Sequence, residues 1–144
     1  MYAVSGGKIM SMGDKGILED RVIYIEDSRI TRIAHIDEPV DERYELIDAA
    51  GKYVCPGFID AHTHIGLGEE IYRVEGDDIN EVSDPFTPYL QALDGVNFWD
   101  LAFQDALKGG VTRAMCMPGS ANIIGGQAVC LKTYAPNKGD MVYK

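Results

Sequence analysis

The residues most suited to chemistry are two histidines separated by one position, His62 and His64. Strand side chains alternate between the faces of a sheet, so both imidazoles and Asp60 are expected on one face. Two imidazoles about 6–7 Å apart along a strand can bind one metal ion, with metal–nitrogen distances of roughly 2.0–2.1 Å. The spacing alone also fits two ordinary surface or core histidines.

The surrounding sequence favours the metal site. Residues 53–61 form a mostly apolar run, which predicts a strand buried on both faces, and a long loop follows. Active sites in barrels and open α/β sheets form where such strands end. Asp60 is either a hydrogen-bond partner of an imidazole or a buried acid bonded to backbone. The third histidine, His35, is expected to be an ordinary surface or edge residue.

The elements that would hold this site begin with a β-rich N-terminal part, residues 1–54. Short strands with turns between them predict part of a small antiparallel sheet and no useful helix. The expected strands are Tyr2–Val4, Lys8–Met10, Val22–Ile25, Arg29–Ile36 and Tyr44–Ile47.

Residues 55–144 have a different pattern of predicted elements, with a long loop and a helix between two apolar strands. After the histidines, an acidic stretch from Glu69 to Asn97 predicts a long loop. Phe98–Lys108 then predicts an amphipathic helix with Asn97 as its N-cap, and Val111–Met117 predicts a second apolar strand. Strand, helix and strand imply a parallel βαβ unit. The apolar stripe of the helix, expected in the core, comprises Trp99, Ala102, Phe103, Ala106 and Leu107.

A segment of small polar residues and glycines follows the second strand. It is either a loop that contacts substrate or a plain turn, and its candidate contact residues are Ser120, Asn122 and Gln127, with Gly125 and Gly126 between them.

Composition and charge exclude several classes. Hydrophobic residues make up 46% and charged residues 25%, which is typical of a globular protein, and the net charge of −10 argues against nucleic acid or anionic membrane as partners. No apolar run is long enough to span a bilayer, and the first ten residues lack signal-peptide features. A cytoplasmic protein with three reduced, buried thiols is expected.

The acidic charge is concentrated in residues 66–105, which contain ten acids and one base, Arg73, for a net charge of −9. This stretch is either a solvated loop or a source of negative potential that attracts cations and basic substrates toward a nearby site.

The segment Cys55–His64, with the sequence CPGFIDAHTH, resembles the PGFIDxHxH signature of the metal-dependent amidohydrolase superfamily. The resemblance covers nearly the whole chain, and several flanking segments are similar to an imidazolonepropionase-like branch. Ser28 and the pair Asp20–Arg21 stand where this family commonly has a glycine-containing turn. The similar segments are Gly7–Ile9, Ile47–Lys52, Glu75–Glu81, Gly109–Thr112 and Pro118–Asn122.

This resemblance implies an α/β fold with a β-rich start: part of a small β-sandwich in residues 1–54, and the first strands of an incomplete (β/α)8 barrel in residues 55–144. It implies one or two divalent metals, most often zinc, held in part by His62 and His64. It also implies hydrolysis of amide-type C–N bonds in small molecules by metal-activated water.

In this family the remaining ligands and the proton-moving acid come from later strands, so they would lie beyond Lys144. We therefore expect an inactive fragment whose second barrel strand exposes an apolar edge. Its missing C-terminal part or a second copy would complete it. Alternatives are a non-catalytic or binding module of amidohydrolase descent, or one half of a split enzyme.

Overall fold

The computed structural model describes residues 1–143. The chain divides into two compact units, Met1–Pro56 and Gly57–Lys144. In the described residues, no helix has the length and apolar character needed to cross a bilayer.

The first unit contains two small sheets, whereas the sequence predicts part of a single small antiparallel sheet. The strands are β1 (Tyr2–Ser5), β2 (Lys8–Met10), β3 (Ile17–Leu18), β4 (Arg21–Glu26), β5 (Arg29–His35), β6 (Glu45–Asp48) and β7 (Tyr53–Val54). One sheet has the strand order β5-β4-β1-β6 and the other β3-β2-β7. The predicted antiparallel pairing is only partly correct, because β6 runs parallel to β1 and β7 runs parallel to β2.

A two-residue turn, Asp27–Ser28, joins β4 to β5. Both residues have positive φ, 47° and 62°, as a type I′ hairpin turn requires. Asp tolerates this left-handed region better than Ser, and glycine tolerates it best. Ser28 thus keeps the usual turn where the family commonly has glycine. His35 at the end of β5 is exposed, as expected.

The second unit contains one three-stranded sheet of order β10-β9-β8, formed by β8 (Phe58–Thr63), β9 (Val111–Cys116) and β10 (Val129–Lys132). Strand β8 is parallel to β9, which confirms the predicted βαβ unit. Strand β10 pairs antiparallel with β9 on the other side. The expectation that the second strand exposes its edge is therefore wrong, because β10 covers that edge and β8 is the edge strand.

The prediction that the first strand is buried on both faces is also wrong for this chain. Phe58 and Ile59 are 57% and 62% exposed. Among residues 1–143, β8 has only one sheet neighbour, β9, so its side chains lack the surroundings of a central parallel strand.

Two helices lie between β8 and β9: α1 (Ala92–Gly95), a single turn in the predicted long loop, and α2 (Leu101–Lys108). Helix α2 starts three residues later than predicted. Its N-cap is Asp100, whose Oδ1 accepts from Ala102 N at 2.7 Å, while Asn97 Oδ1 instead accepts from Trp99 N. Trp99 therefore precedes the helix and is 77% exposed, contrary to its expected core position, whereas Phe103 is buried as expected.

The cysteines are free, but they do not all have the expected burial. Cys55 is exposed, Cys130 is half-buried and Cys116 is buried on β9. Cys116 Sγ lies 3.1 Å from the Ile65 carbonyl oxygen, and burial raises the pKa of this thiol to about 11.

Candidate metal centre

The two histidines lie where β8 ends. His62 belongs to the strand, and His64 follows its last residue, Thr63. Backbone N–H groups of Leu67 and Gly68 donate to the His64 carbonyl at 2.9 and 3.2 Å, so a tight turn fixes the backbone there. The two imidazole rings are 5.8 Å apart between centroids and 81° apart in plane.

The backbone of the neighbouring strand orients the His64 ring. His64 Nδ1 lies 2.6 Å from the carbonyl oxygen of Met117, the residue after β9. Met117 N donates to Thr63 O at 3.0 Å, so the ladder between the two strands holds this carbonyl in place. A carbonyl only accepts, so Nδ1 carries a proton, and in the neutral imidazole Nε2 then keeps its lone pair for a ligand. Metal-binding histidines typically have such a partner on the other nitrogen.

Asp60 does not bond to an imidazole. Its Oδ1 accepts from the backbone N–H of His62 at 3.0 Å, as in the backbone-bonded alternative, but Asp60 is exposed and not buried as that alternative expected. The pairing between β8 and β9 shifts between Asp60 and Thr63. Strict alternation of side chains therefore breaks down, and Asp60, Thr63 and His64 all line one cavity of about 350 Å³.

The separation of the two histidine rings is compatible with a shared metal ion. With a metal–nitrogen distance of about 2.0–2.1 Å and roughly 1.1 Å more to each ring centre, two bound imidazoles have centroids no more than about 6.4 Å apart. The observed 5.8 Å satisfies that limit. Residues 1–143 contain no cluster of three or more His, Cys, Asp or Glu side chains placed to hold an ion. The two histidines are therefore a pair of candidate ligands and not a complete set.

The three candidate substrate-loop residues differ in their contacts and exposure. Asn122 Nδ2 donates to the carbonyls of Glu81 and Asp84 at 2.8 and 3.0 Å, and Gln127 Nε2 donates to Pro88 O at 3.2 Å. Both amides connect the segment after β9 to the acidic segment before α1. Ser120 is exposed at the start of this segment.

Sequence reasoning missed two contributors to this region. The Met117 carbonyl is a backbone group, so no side-chain pattern could have indicated it. Glu70 lines the same cavity as His64, although in the sequence it is only one acid of a long acidic stretch. Its backbone N–H donates to Asp100 Oδ2 at 3.0 Å, so the N-cap of α2 also fixes this residue.

Comparison with known proteins identifies the family. The model of the Amidohydrolase family matches residues 45–86, which include the two histidines. The crystal structure of an amidohydrolase from Thermotoga maritima matches all of this chain with a TM-score of 0.85 and 33% sequence identity. Amidohydrolase tasK from Hapsidospora irregularis is 35% identical over 113 residues. The chain belongs to the amidohydrolase superfamily.

This amidohydrolase chain corresponds to the N-terminal portion of such a protein. It covers 37% of the Thermotoga maritima chain, and its match with Amidohydrolase tasK covers 76% of this chain and 11% of that relative. Imidazolonepropionase from Bacillus velezensis is 43% identical over 67 residues, which are 44% of this chain and 15% of that relative. Adenine deaminases and dihydroorotases also match, so the imidazolonepropionase-like branch stays a prediction.

Proposed function

We propose that this chain supplies two metal ligands, His62 and His64, to a hydrolase that cleaves amide-type C–N bonds in small molecules, with zinc as the preferred metal. One observation carries the proposal: the bond from His64 Nδ1 to the Met117 carbonyl, which in the neutral imidazole leaves Nε2 with a free lone pair, in a ring whose centroid lies 5.8 Å from that of His62. Membership of the amidohydrolase superfamily supports the reaction class.

The role of this chain's residues is to position and orient the two proposed metal ligands. The Met117 carbonyl sets the His64 tautomer, and the Asp60 carboxylate holds the backbone from which His62 projects. A bound divalent metal would lower the pKa of its water to about 7 and polarise the substrate carbonyl. Ser120, Asn122 and Gln127 remain candidates for contact with substrate from the loop after β9.

The proposed architecture is part of a small β-sandwich followed by the first strands of a (β/α)8 barrel. The parallel pair β8 and β9, with α2 between them in sequence, is the repeating unit of such a barrel. In parallel barrels the strand ends that carry His62, His64 and Met117 form the active-site face. A cytoplasmic location remains a prediction from the sequence.

The test is metal content and turnover in the full-length protein that contains this segment. His62→Ala and His64→Ala should each remove most of the bound metal and lower hydrolysis of a C–N substrate panel by at least about a hundredfold, since outer partners alone are worth 10–100-fold. His35→Ala is the matched control because His35 is exposed on β5. Full metal occupancy and normal turnover in both site variants would overturn the proposal.

Two alternatives differ in whether a further polypeptide completes the metal site: a split enzyme with a separate second chain, and a non-catalytic module. A two-histidine pair leaves a tetrahedral zinc half-ligated, so residues 1–144 alone should bind metal weakly and show no turnover. Adding the complementary polypeptide should restore both in a split enzyme and neither in a non-catalytic module. Tight stoichiometric zinc and turnover by residues 1–144 alone would contradict the proposed need for further ligands.

A further inference from the structure

A segment of three residues, Asp78–Asn80, termed the bridge segment, lies between β8 and α1 and contacts the residues that follow both β8 and β9. On the β8 side, Asp78 N donates to Leu67 O at 2.8 Å, and Leu67 N in turn donates to the His64 carbonyl at 2.9 Å. Ile79, the middle residue of the segment, lines the cavity that contains His64. The bridge segment is therefore part of the surroundings of the candidate metal site.

On the β9 side, the bridge segment holds the loop that follows Met117. Gly119 N donates to Ile79 O at 2.7 Å, and Ala121 N donates to Asn80 Oδ1 at 3.2 Å. Gly119 is buried, and a Cβ built on it would overlap Asn80 Oδ1 and Ile79 Cγ2. The Asn80 side chain thus packs directly on the backbone of this loop, at a distance that only glycine permits.

These contacts restrict the Met117 carbonyl, because only Pro118 separates it from Gly119. Peptide bonds are planar and the proline ring fixes φ, so ψ of Pro118 is the one free backbone torsion between the Met117 carbonyl and the Gly119 N–H. On the other side, Met117 N donates to Thr63 O at 3.0 Å. The carbonyl that accepts from His64 Nδ1 is therefore held from both directions.

We propose that Asn80 is a positioning residue for the candidate metal site: its side chain holds the loop after β9 on the bridge segment and thereby keeps the Met117 carbonyl against His64 Nδ1. The bond to Ile79 comes from backbone, whereas the bond to Asn80 comes from a side chain, so substitution can remove it. The effect on the His64 tautomer does not require a metal. The effect on metal binding rests on the proposed function.

The test measures the tautomer of His64 by NMR in metal-free, full-length protein labelled with ¹⁵N-histidine, at about pH 8, where an ordinary imidazole is neutral. Asn80→Leu keeps the approximate shape of the side chain but removes the oxygen that accepts from Ala121. The ratio of the Nδ1–H to the Nε2–H tautomer should fall about fivefold, the usual net worth of one hydrogen bond. The signal of His64 is identified by its loss in His64→Asn.

Three further variants control this measurement. Asn80→Asp keeps the accepting oxygen and should leave the ratio nearly unchanged, whereas Asn80→Ala, which lacks the oxygen and adds no bulk, should lower it as Asn80→Leu does. Asn97→Leu is the matched control, because Asn97 Oδ1 also accepts from a backbone N–H, that of Trp99, outside the bridge segment. It should lower the midpoint of unfolding as Asn80→Leu does but leave the ratio unchanged. An unchanged ratio in a folded Asn80→Leu or Asn80→Ala variant would overturn the proposal, as would an equal fall in Asn97→Leu.

Metal affinity separates this inference from the proposed function. Asn80→Leu should raise the dissociation constant of zinc about tenfold, at the lower end of the effect of outer partners on metal sites. A fall in the tautomer ratio, in a protein whose His62→Ala and His64→Ala variants keep full metal and turnover, would refute the proposed function and support the role of Asn80. An unchanged ratio, in a protein whose metal and turnover depend on both histidines, would refute the role of Asn80 alone.

Discussion

His64 Nδ1 and the Met117 carbonyl oxygen lie 2.6 Å apart and join residues 53 positions distant in sequence. The parallel pairing of β8 and β9 creates this contact, because it aligns the ends of two strands separated by a long loop and a helix. The bond fixes which imidazole nitrogen is free, and it thereby couples the fold of the sheet to the chemistry of the site.

This bond and the proposed metal contact can be separated by substitution. Asn places an amide nitrogen near the position of Nδ1 but nothing at Nε2, so His64→Asn should keep the Met117 bond and lose the metal. His64→Leu should lose both and be less stable in the metal-free state by about 1 kcal/mol, the usual net value of a hydrogen bond. The measurements are thermal unfolding of metal-free protein and metal analysis. Equal stability of the two variants would mean that the Met117 bond contributes nothing.

Gly57 permits the close approach of β8 to β9. A Cβ built on Gly57 would meet the Thr112 side chain, so Gly57→Ala should lower the free energy of unfolding by about 1–3 kcal/mol. Thr112→Ala in the same protein should recover part of that loss, because it removes Oγ1 and Cγ2, the two atoms nearest the added Cβ. Gly139→Ala, where an added Cβ meets nothing within 4 Å, serves as the control and should be nearly neutral. A double-mutant cycle by chemical denaturation measures the coupling, and zero coupling would rule out this contact as the reason for glycine.

Asp100 links the acidic loop to α2. Its Oδ1 caps Ala102 N and its Oδ2 accepts from Glu70 N, and the residue is only 6% exposed. Asp100→Ala should cost about 2 kcal/mol, from the lost cap and the unpaired Glu70 N–H. Asp105→Ala on the same helix removes only an exposed pair with Lys108 and should change stability by less than about 0.5 kcal/mol. Similar losses in both variants would show that the cap has no special role.

The turn at Asp27–Ser28 holds a serine at φ 62°, where a Cβ is unfavourable. Ser28→Gly should raise the free energy of unfolding by about 0.5–1 kcal/mol, since relief of strain outweighs the greater freedom of glycine in the unfolded chain. Ser28→Ala keeps the Cβ and removes only the hydroxyl, so it should bring no gain. A stabilising Ser28→Ala would point to the hydroxyl instead of the backbone.

The sequence by itself determined the family, the histidine pair and most of the strands. The ten residues Cys55–His64 combine a glycine after a proline, an apolar strand and two histidines separated by one residue. Period-two alternation and turn residues are local properties of the chain, so they can be read without knowing the fold. The same holds for the helix before β9, although the sequence predicts its start three residues early because Asn97 and Asp100 are both good N-cap residues.

Only the tertiary structure decided what depends on neighbours distant in sequence. Strand order is such a property, because no local pattern specifies it. It leaves β8 exposed at the edge of its sheet, places β10 beside β9 and pairs β1 in parallel with β6. The carbonyl of Met117 became a partner of His64 because two strand ends meet. Backbone groups carry no residue-type signal, so contacts of this kind appear only when the chain is folded.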